Sequence, residues 1–364
     1  MSQADAIAEL PDIDGEFPPR LTRALVGHER PIAEFIAAAQ GGRMPHAWLL
    51  CGPQGVGKAS FAYLVARAVL SHAVPTQIEH ISPAVESDAA RLLETSIHPD
   101  MYVLKRSYNE KTDKFRGDIS VEETRVLKKA FALSSARGGW RVAIIDAIDE
   151  VTRNGVNALL KLIEEPPEKC LFLIICHHQG RVLDTIRSRC RQLNFNALGE
   201  DELQQIIAGK LTGIDPNEAA AAAFLADGSA GRALSLSENG GFDLYRDMVG
   251  VMASLPQLDV EQVHGFANRF GTRAAPESFP LFCYLLSGWL HRYVRSLSTG
   301  QAFQPVFEGE AELAERFMAG QLPLETSVSL WEKLQQQSRV VEALNLDKKQ
   351  AVLEWFGELA DTTR

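Results

Sequence analysis

The sequence contains no uninterrupted apolar run of the roughly 18 residues that a membrane-spanning helix requires. It also has no CxxC pair. Its five cysteines, Cys51, Cys170, Cys176, Cys190 and Cys283, are scattered singly. Neither a zinc-ligand spacing nor a disulfide framework is predicted, and the usage suits a reducing compartment. Positive charge is in deficit: 37 Lys and Arg face 47 Asp and Glu, for a formal net charge of −10. Non-specific nucleic-acid affinity comes mainly from cations meeting phosphates. Stand-alone DNA binding is therefore disfavoured, although a local basic patch is compatible with the composition. The opening stretch, MSQADAIAELPDIDGEF, has neither the basic start nor the apolar centre of a secretory signal. The expectation is a cytoplasmic protein with no membrane partner.

What remains is ordinary globular material, 46% hydrophobic and 23% charged. A length of 364 residues suggests about two or three domains. Residues 1–20 read as a mobile acidic arm. A helix is expected over 31–40, and a buried strand over 46–52 runs into a glycine-rich loop. A second helix over 58–70 carries Phe61, Leu64, Val65 and Ala68 at helical spacing. Residues 71–98 give no clear pattern. Further strands are expected at 101–106, 141–150, 170–176 and the end of 185–195. Between them lie helices at 119–135, with a Ser120–Glu123 capping box, and at 151–167. In the first of these two Val121, Leu127 and Ala130, and less regularly Val126, lie near one face. The second should bury Val156, Leu159, Leu160 and Ile163. Strands alternating with helices predict a parallel sheet covered on both faces. After residue 197 the texture becomes helical throughout: three short segments to about 240, then long amphipathic ones, notably 280–297 and 322–346. No internal repeat is present.

The loop CGPQGVGKAS, residues 51–60, is one residue short of a phosphate-binding motif. Gly52, Gly55, Gly57 and Lys58 supply the anion nest and its cation. Ala59 stands where a Ser or Thr would hold magnesium. Ser60 is one position on, about 100° around the helix, and points elsewhere. Asp146 ends the strand RVAIID, where a metal-binding carboxylate belongs, but Ala147 follows in place of a water-polarising glutamate. Metal positioning and general-base catalysis each contribute orders of magnitude to rate. A site lacking both leaves binding open but should hardly turn over. The plainer readings are a tight strand-to-helix turn for the loop and a capping or loop carboxylate for Asp146. Arg189, in the basic turn IRSRCR, is a candidate to reach a neighbouring subunit's nucleotide, a contribution of roughly 10³–10⁵ in rate where it operates. Arg232, early in the helix of GSAGRALSL, is a candidate nucleotide contact from a second domain. For both, a solvated surface arginine is the alternative. His177 and His178 follow a buried strand, and a structural or exposed role is preferred for each.

Together these residues resemble one family. LVGHERPIAEFIAAAQGGRMPHAWLLCGPQGVGKAS, NALLKLIEEPP, TIRSRC and GSAGRALSL occur in the order seen in bacterial clamp-loader subunits of the AAA+ class. VAIIDAID, lacking the glutamate, is most similar to the delta-prime type within DNA polymerase III. The specific likeness covers about residues 20–240; beyond that only helical character agrees. The resemblance implies a RecA-like P-loop (AAA+) domain over 1–197, a three-helix lid over 198–240 and a helical collar over 241–364. It further implies a stator that does not hydrolyse ATP and is assembled with gamma/tau and delta subunits in a pentameric ring. Such a subunit serves the sliding clamp and primer-template DNA through that complex, and Arg189 acts in trans on the neighbouring ATP site. Gly52, Gly55, Gly57, Lys58, Asp146 and Arg232 then form a degenerate nucleotide site. No cofactor is required and residual ATP, ADP or phosphate binding stays open. Many relatives carry four cysteines after the first loop helix; residues 71–98 here contain none, so no zinc is expected. Two other readings remain: a gamma/tau-like ATPase motor, against which Ala59 and Ala147 argue, and an unrelated P-loop kinase or metabolic enzyme, against which the helical last third argues.

Overall fold

The computed structural model describes residues 17–109, 114–238, 240–271, 278–320 and 322–363. Most of the expected acidic arm, 1–16, lies outside the described residues. The chain divides into two compact units: one reaches Ile206 and includes Gly228–Gly231, the other comprises Ile207–Asp227 and the residues from Arg232 onward.

The first unit is built on a sheet. In chain order its elements are α1 (Glu29–Gln40), β1 (Ala47–Cys51), α2 (Lys58–Ser71), α3 (Asp88–Glu94), β2 (Met101–Lys105), β3 (Tyr108–Asn109) and β4 (Lys114–Phe115). They continue with α4 (Val121–Ala132), β5 (Arg141–Asp146), α5 (Arg153–Glu164), β6 (Cys170–Cys176), α6 (Asp184–Arg187) and β7 (Arg191–Asn194). Five strands pair in parallel in the order β2-β5-β6-β1-β7; β3 and β4 form a separate antiparallel pair. The central strands are apolar throughout because both faces are covered. Along β1, Trp48 and Leu50 join Phe35 of α1 with Phe61 and Val65 of α2. Ala47, Leu49 and Cys51 alternate to the other face, in one core with Leu127 and Phe131 of α4 and with Leu159 and Ile163 of α5. The expected parallel sheet with helices on both faces is therefore present.

Local signals hold in detail. The Ser120 Oγ accepts from the Glu123 N–H at 3.3 Å, and the Glu123 carboxylate accepts from the Ser120 N–H at 2.6 Å, closing the capping box of α4. Two expectations need correction. The helix buries Thr124, Leu127 and Phe131, whereas Val126 is 57% exposed. The strand expected to 150 stops at Asp146, and Ile148–Glu150 forms a 3₁₀ turn.

Strand register sets the rim that matters. Cys51 lies opposite Cys176, and Lys105 opposite Asp146. The segments that follow β1, β5 and β6 thus emerge together at the carboxyl ends of the strands, where open α/β sheets place their ligands.

The remaining helices are α7 (Glu200–Lys210), α8 (Pro216–Leu225), α9 (Ala230–Glu238), α10 (Gly241–Ala253), α11 (Val260–Ala267), α12 (Ser278–Thr299), α13 (Glu310–Ala319), α14 (Leu324–Ala343) and α15 (Lys348–Thr362). In the second unit an aromatic cluster joins α11, α12 and α15: Phe266 and Phe282 both contact Phe356, and Phe282 stacks on Trp355. A buried polar knot ties α10, α12 and α13. The fully buried Glu310 carboxylate accepts from the Tyr245 hydroxyl at 2.7 Å, from Arg292 at 3.3 Å and from the Phe307 N–H at 2.9 Å. All five cysteines are free thiols. Among the described residues no helix is long and apolar enough to cross a membrane.

Removing one partner of a buried ion pair leaves the other uncompensated. Glu310→Ala should therefore destabilise the second unit by about 3–5 kcal/mol, read as a lower urea midpoint with the first unit's transition unmoved.

Candidate functional site: a phosphate-loop rim

The loop after β1 is shaped by close backbone approaches. The Gly52 N–H donates to the Cys176 carbonyl at 3.3 Å, and the Phe195 N–H donates to the Cys51 carbonyl at 2.7 Å. Gly52 has φ +154°, and a Cβ there would lie 2.1 Å from the Phe195 carbonyl oxygen, so no side chain fits. At Gly55 (φ +78°) a Cβ would lie 2.2 Å from the Ser229 Oγ, and the Gly55 carbonyl accepts from the Gly231 N–H at 2.9 Å. Gly57, left-handed, is the N-cap of α2, and no side chain caps that helix. Between them Val56 is buried, and the His28 Nε2–H donates to its carbonyl at 2.7 Å. A strand, a glycine-rich turn and an uncapped helix N-terminus give the loop the form of an anion nest.

Lys58 is 3% exposed, and its ammonium donates to the loop's own carbonyls, Gly52 at 2.6 Å and Pro53 at 2.5 Å. Burial lowers its pKa to about 8, against the opposing attraction of Asp146. Asp146 thus acts electrostatically on Lys58 from the end of β5. Beyond it, the Asp149 carboxylate accepts from the His177 N–H at 3.0 Å and pairs with the His178 Nδ1 at 3.1 Å. Burial works against the Asp149 charge, but these donors hold its pKa below the ordinary value. Burial, then the nearby Lys58 charge, lowers the His177 pKa to about 4, so this imidazole is neutral at pH 7.

The donor set does not fit a hydrolytic magnesium site. Ala59 offers no oxygen, and the Ser60 hydroxyl accepts from the Thr22 Oγ1 at 3.0 Å. Ala147 is buried. Glu150 pairs with Arg106 at 3.0 Å, and burial raises its pKa. The loop glycines and Lys58 do fit a phosphate, provided the ammonium exchanges its carbonyl partners for it. Among the described residues no group of three His, Cys, Asp or Glu side chains is arranged to hold a metal.

The structure brings Gly52, Gly55, Gly57, Lys58 and Asp146 to one rim. Arg189 lies apart from them, in the turn between α6 and β7, where it pairs with Glu164 at 2.9 Å. Arg232 belongs to the second unit, and its guanidinium lies 4.5 Å from the centre of the Tyr284 ring. The sequence reading missed His28, Asp149, Glu164 and the Gly55–Gly231 approach. The only sequence signal for that approach was the Gly-Ser-Ala-Gly run at 228–231, whose Ser229 and Gly231 meet the loop only through the tertiary fold.

Comparison with known proteins agrees with this module. The family profile described as "DNA polymerase III, delta subunit" matches residues 27–199. The chain is 30% identical to the DNA polymerase III subunit tau of Escherichia coli over 224 residues, covering 60% of this chain and 33% of that protein. It is 33% identical to the DNA polymerase III subunit delta' of Pseudomonas aeruginosa over 164 residues, covering 44% and 47% respectively. A gamma subunit-related protein from Thermotoga maritima has a solved structure that aligns with 91% of this chain and 100% of its own, at 15% identity and a TM-score of 0.41, too slight a likeness to carry an argument. The chain spans less than half the length of these two curated relatives. The fold and rim are those of a P-loop module: a parallel sheet whose first strand runs through a glycine-rich turn into a helix N-terminus. Over residues 27–199 the chain is similar to the clamp-loader subunits of DNA polymerase III, those named tau and those named delta' alike.

A lysine with a pKa lowered to about 8 binds fewer protons folded than unfolded between that value and its ordinary 10.5. Stability should therefore rise with pH across that window, the cost of the buried charge being fully present below it. Urea titrations from pH 7 to 10.5 should show this rise in the native chain and its loss in Lys58→Met.

Proposed function

We propose that this chain is a delta-prime-type stator of the DNA polymerase III clamp loader. It helps to load the sliding clamp onto primer-template DNA without hydrolysing ATP itself. In this reading residues 1–197 form the P-loop domain, 198–240 the lid and 241–364 the collar that joins gamma/tau-type and delta-type subunits in a pentameric ring. Arg189 completes the ATP site of the neighbouring subunit. The degenerate loop, with Arg232 from the lid, retains at most nucleotide or phosphate binding, and no metal or cofactor is needed for the stator role.

The observation that carries the proposal is the chemistry around Lys58. The hydroxyl and the carboxylate that hydrolysis needs are replaced by Ala59 and Ala147, while Ser60 and Glu150 are engaged elsewhere. The loop glycines nevertheless keep a phosphate-shaped turn. A subunit whose own site is inert and whose basic turn carries a part-exposed arginine suits a partner role. The alternative, an ATP-hydrolysing motor of the gamma/tau kind, draws support from the similarity to tau.

The isolated chain should show no ATP turnover above background in a coupled assay with magnesium; clear turnover would move the assignment to the motor reading. In the reconstituted complex, Arg189→Ala should leave assembly intact on gel filtration and lower DNA-stimulated ATPase by at least about tenfold. An unchanged rate in an assembled mutant complex would retire the finger role.

A further inference from the structure

Arg189 is held in place. Its backbone N–H donates to the Ile186 carbonyl at 3.1 Å, which fixes the turn. Its side chain is then gripped on two of three nitrogens. Nε pairs with the Glu164 carboxylate at 2.9 Å, and Nη1 donates to the Thr185 carbonyl at 2.9 Å and to the Ser188 hydroxyl at 3.2 Å. Nη2 has no partner among the described residues. The side chain is 39% exposed.

Glu164 stands where a carboxylate is locally unfavourable. It is the last residue of α5, at the negative end of the helix. A cation at that end offsets the helix field as well as the carboxylate. The partner it meets is Arg189, delivered by a different element through the α6 turn. Nearby, Arg187 pairs with Asp184 within α6 itself, so the charges of this turn are sorted into separate pairs.

We infer that Glu164 is the positioning residue for Arg189: it orients the guanidinium so that the Nη2 edge stays free for an anion outside the chain. This rests on the reading of Arg189 as a trans-acting finger. An exposed ion pair contributes little to stability. Its effect is geometric, because a long side chain free to rotate presents its charge at the right place only part of the time, and small misplacements of a reacting group are costly in rate.

The test uses the fully assembled clamp-loader complex and compares native chain, Glu164→Ala, Glu164→Gln, Arg189→Ala and the double variant Glu164→Ala/Arg189→Ala. Glu164→Ala should lower the DNA-stimulated kcat by about three- to tenfold with KM for ATP unchanged, since only the presentation of the arginine is altered. Glu164→Gln, which keeps an acceptor oxygen, should fall between it and the native chain. In the Arg189→Ala background the removal of Glu164 should have no further effect. If Arg189→Ala slows turnover but Glu164→Ala does not, the positioning role is overturned and the finger stands. If Glu164→Ala slows turnover equally with and without Arg189, Glu164 acts by another route and the inference fails. If Arg189→Ala leaves the rate unchanged, the finger reading falls and this inference falls with it.

Discussion

Parallel pairing of β1 with β6 in one fixed register underlies most of what this chain can do. Placing Cys51 opposite Cys176 aligns the ends of two buried strands, and β5 follows through its own pairing with β6. The glycine-rich loop, Asp146, Asp149 and His177 then leave the sheet at one rim. A strand buried on both faces cannot slip by one residue without exchanging its two side-chain sets between two different cores. The site inherits its geometry from that constraint. None of its polar residues has to organise the others.

Within that frame the loop is held shut by backbone contacts. Gly52 meets Phe195, Gly55 meets Ser229 and Gly231, and His28 holds Val56 from the side. Lys58 completes the arrangement by donating to the carbonyls of the turn it terminates. A phosphate-binding turn normally relies on its ligand to satisfy that lysine. Here the protein satisfies the lysine internally, which stabilises the loop as a fold element and makes an anion compete with two short hydrogen bonds. The second unit solves a comparable problem differently: a buried glutamate is matched by a tyrosine, an arginine and a backbone amide around one point.

Much of the first unit was legible in the sequence because its strands are short unbroken apolar runs between turn signals, and its helices carry caps that act locally. Ser120 and Glu123 form their box without help from distant residues. The misreadings share a cause. Val126 is apolar and close to the helical period, yet it lies on the outer side of α4, since the sheet face takes Thr124, Leu127 and Phe131 instead. The site residues Gly52, Gly55, Gly57, Lys58 and Asp146 could be read because their spacing within one strand-loop-helix carries the meaning. Glu164 and Gly231 could not. Each matters only through a partner many residues away, and neither one's surrounding residues predict where that partner will be.

The three cysteines in the sheet strands have a further consequence. Cys51, Cys170 and Cys176 are sealed within the sheet; burial raises the Cys170 pKa to about 11, so that thiol carries very little thiolate near neutrality, whereas the hydrogen bond with Cys176 draws the Cys51 pKa below its ordinary value. Even the half-buried Cys190 is pushed up to about 12 by burial. Oxidation of the three strand thiols is consequently governed by access: they meet a dissolved oxidant when the sheet separates, and chemical damage at those positions follows unfolding as its record.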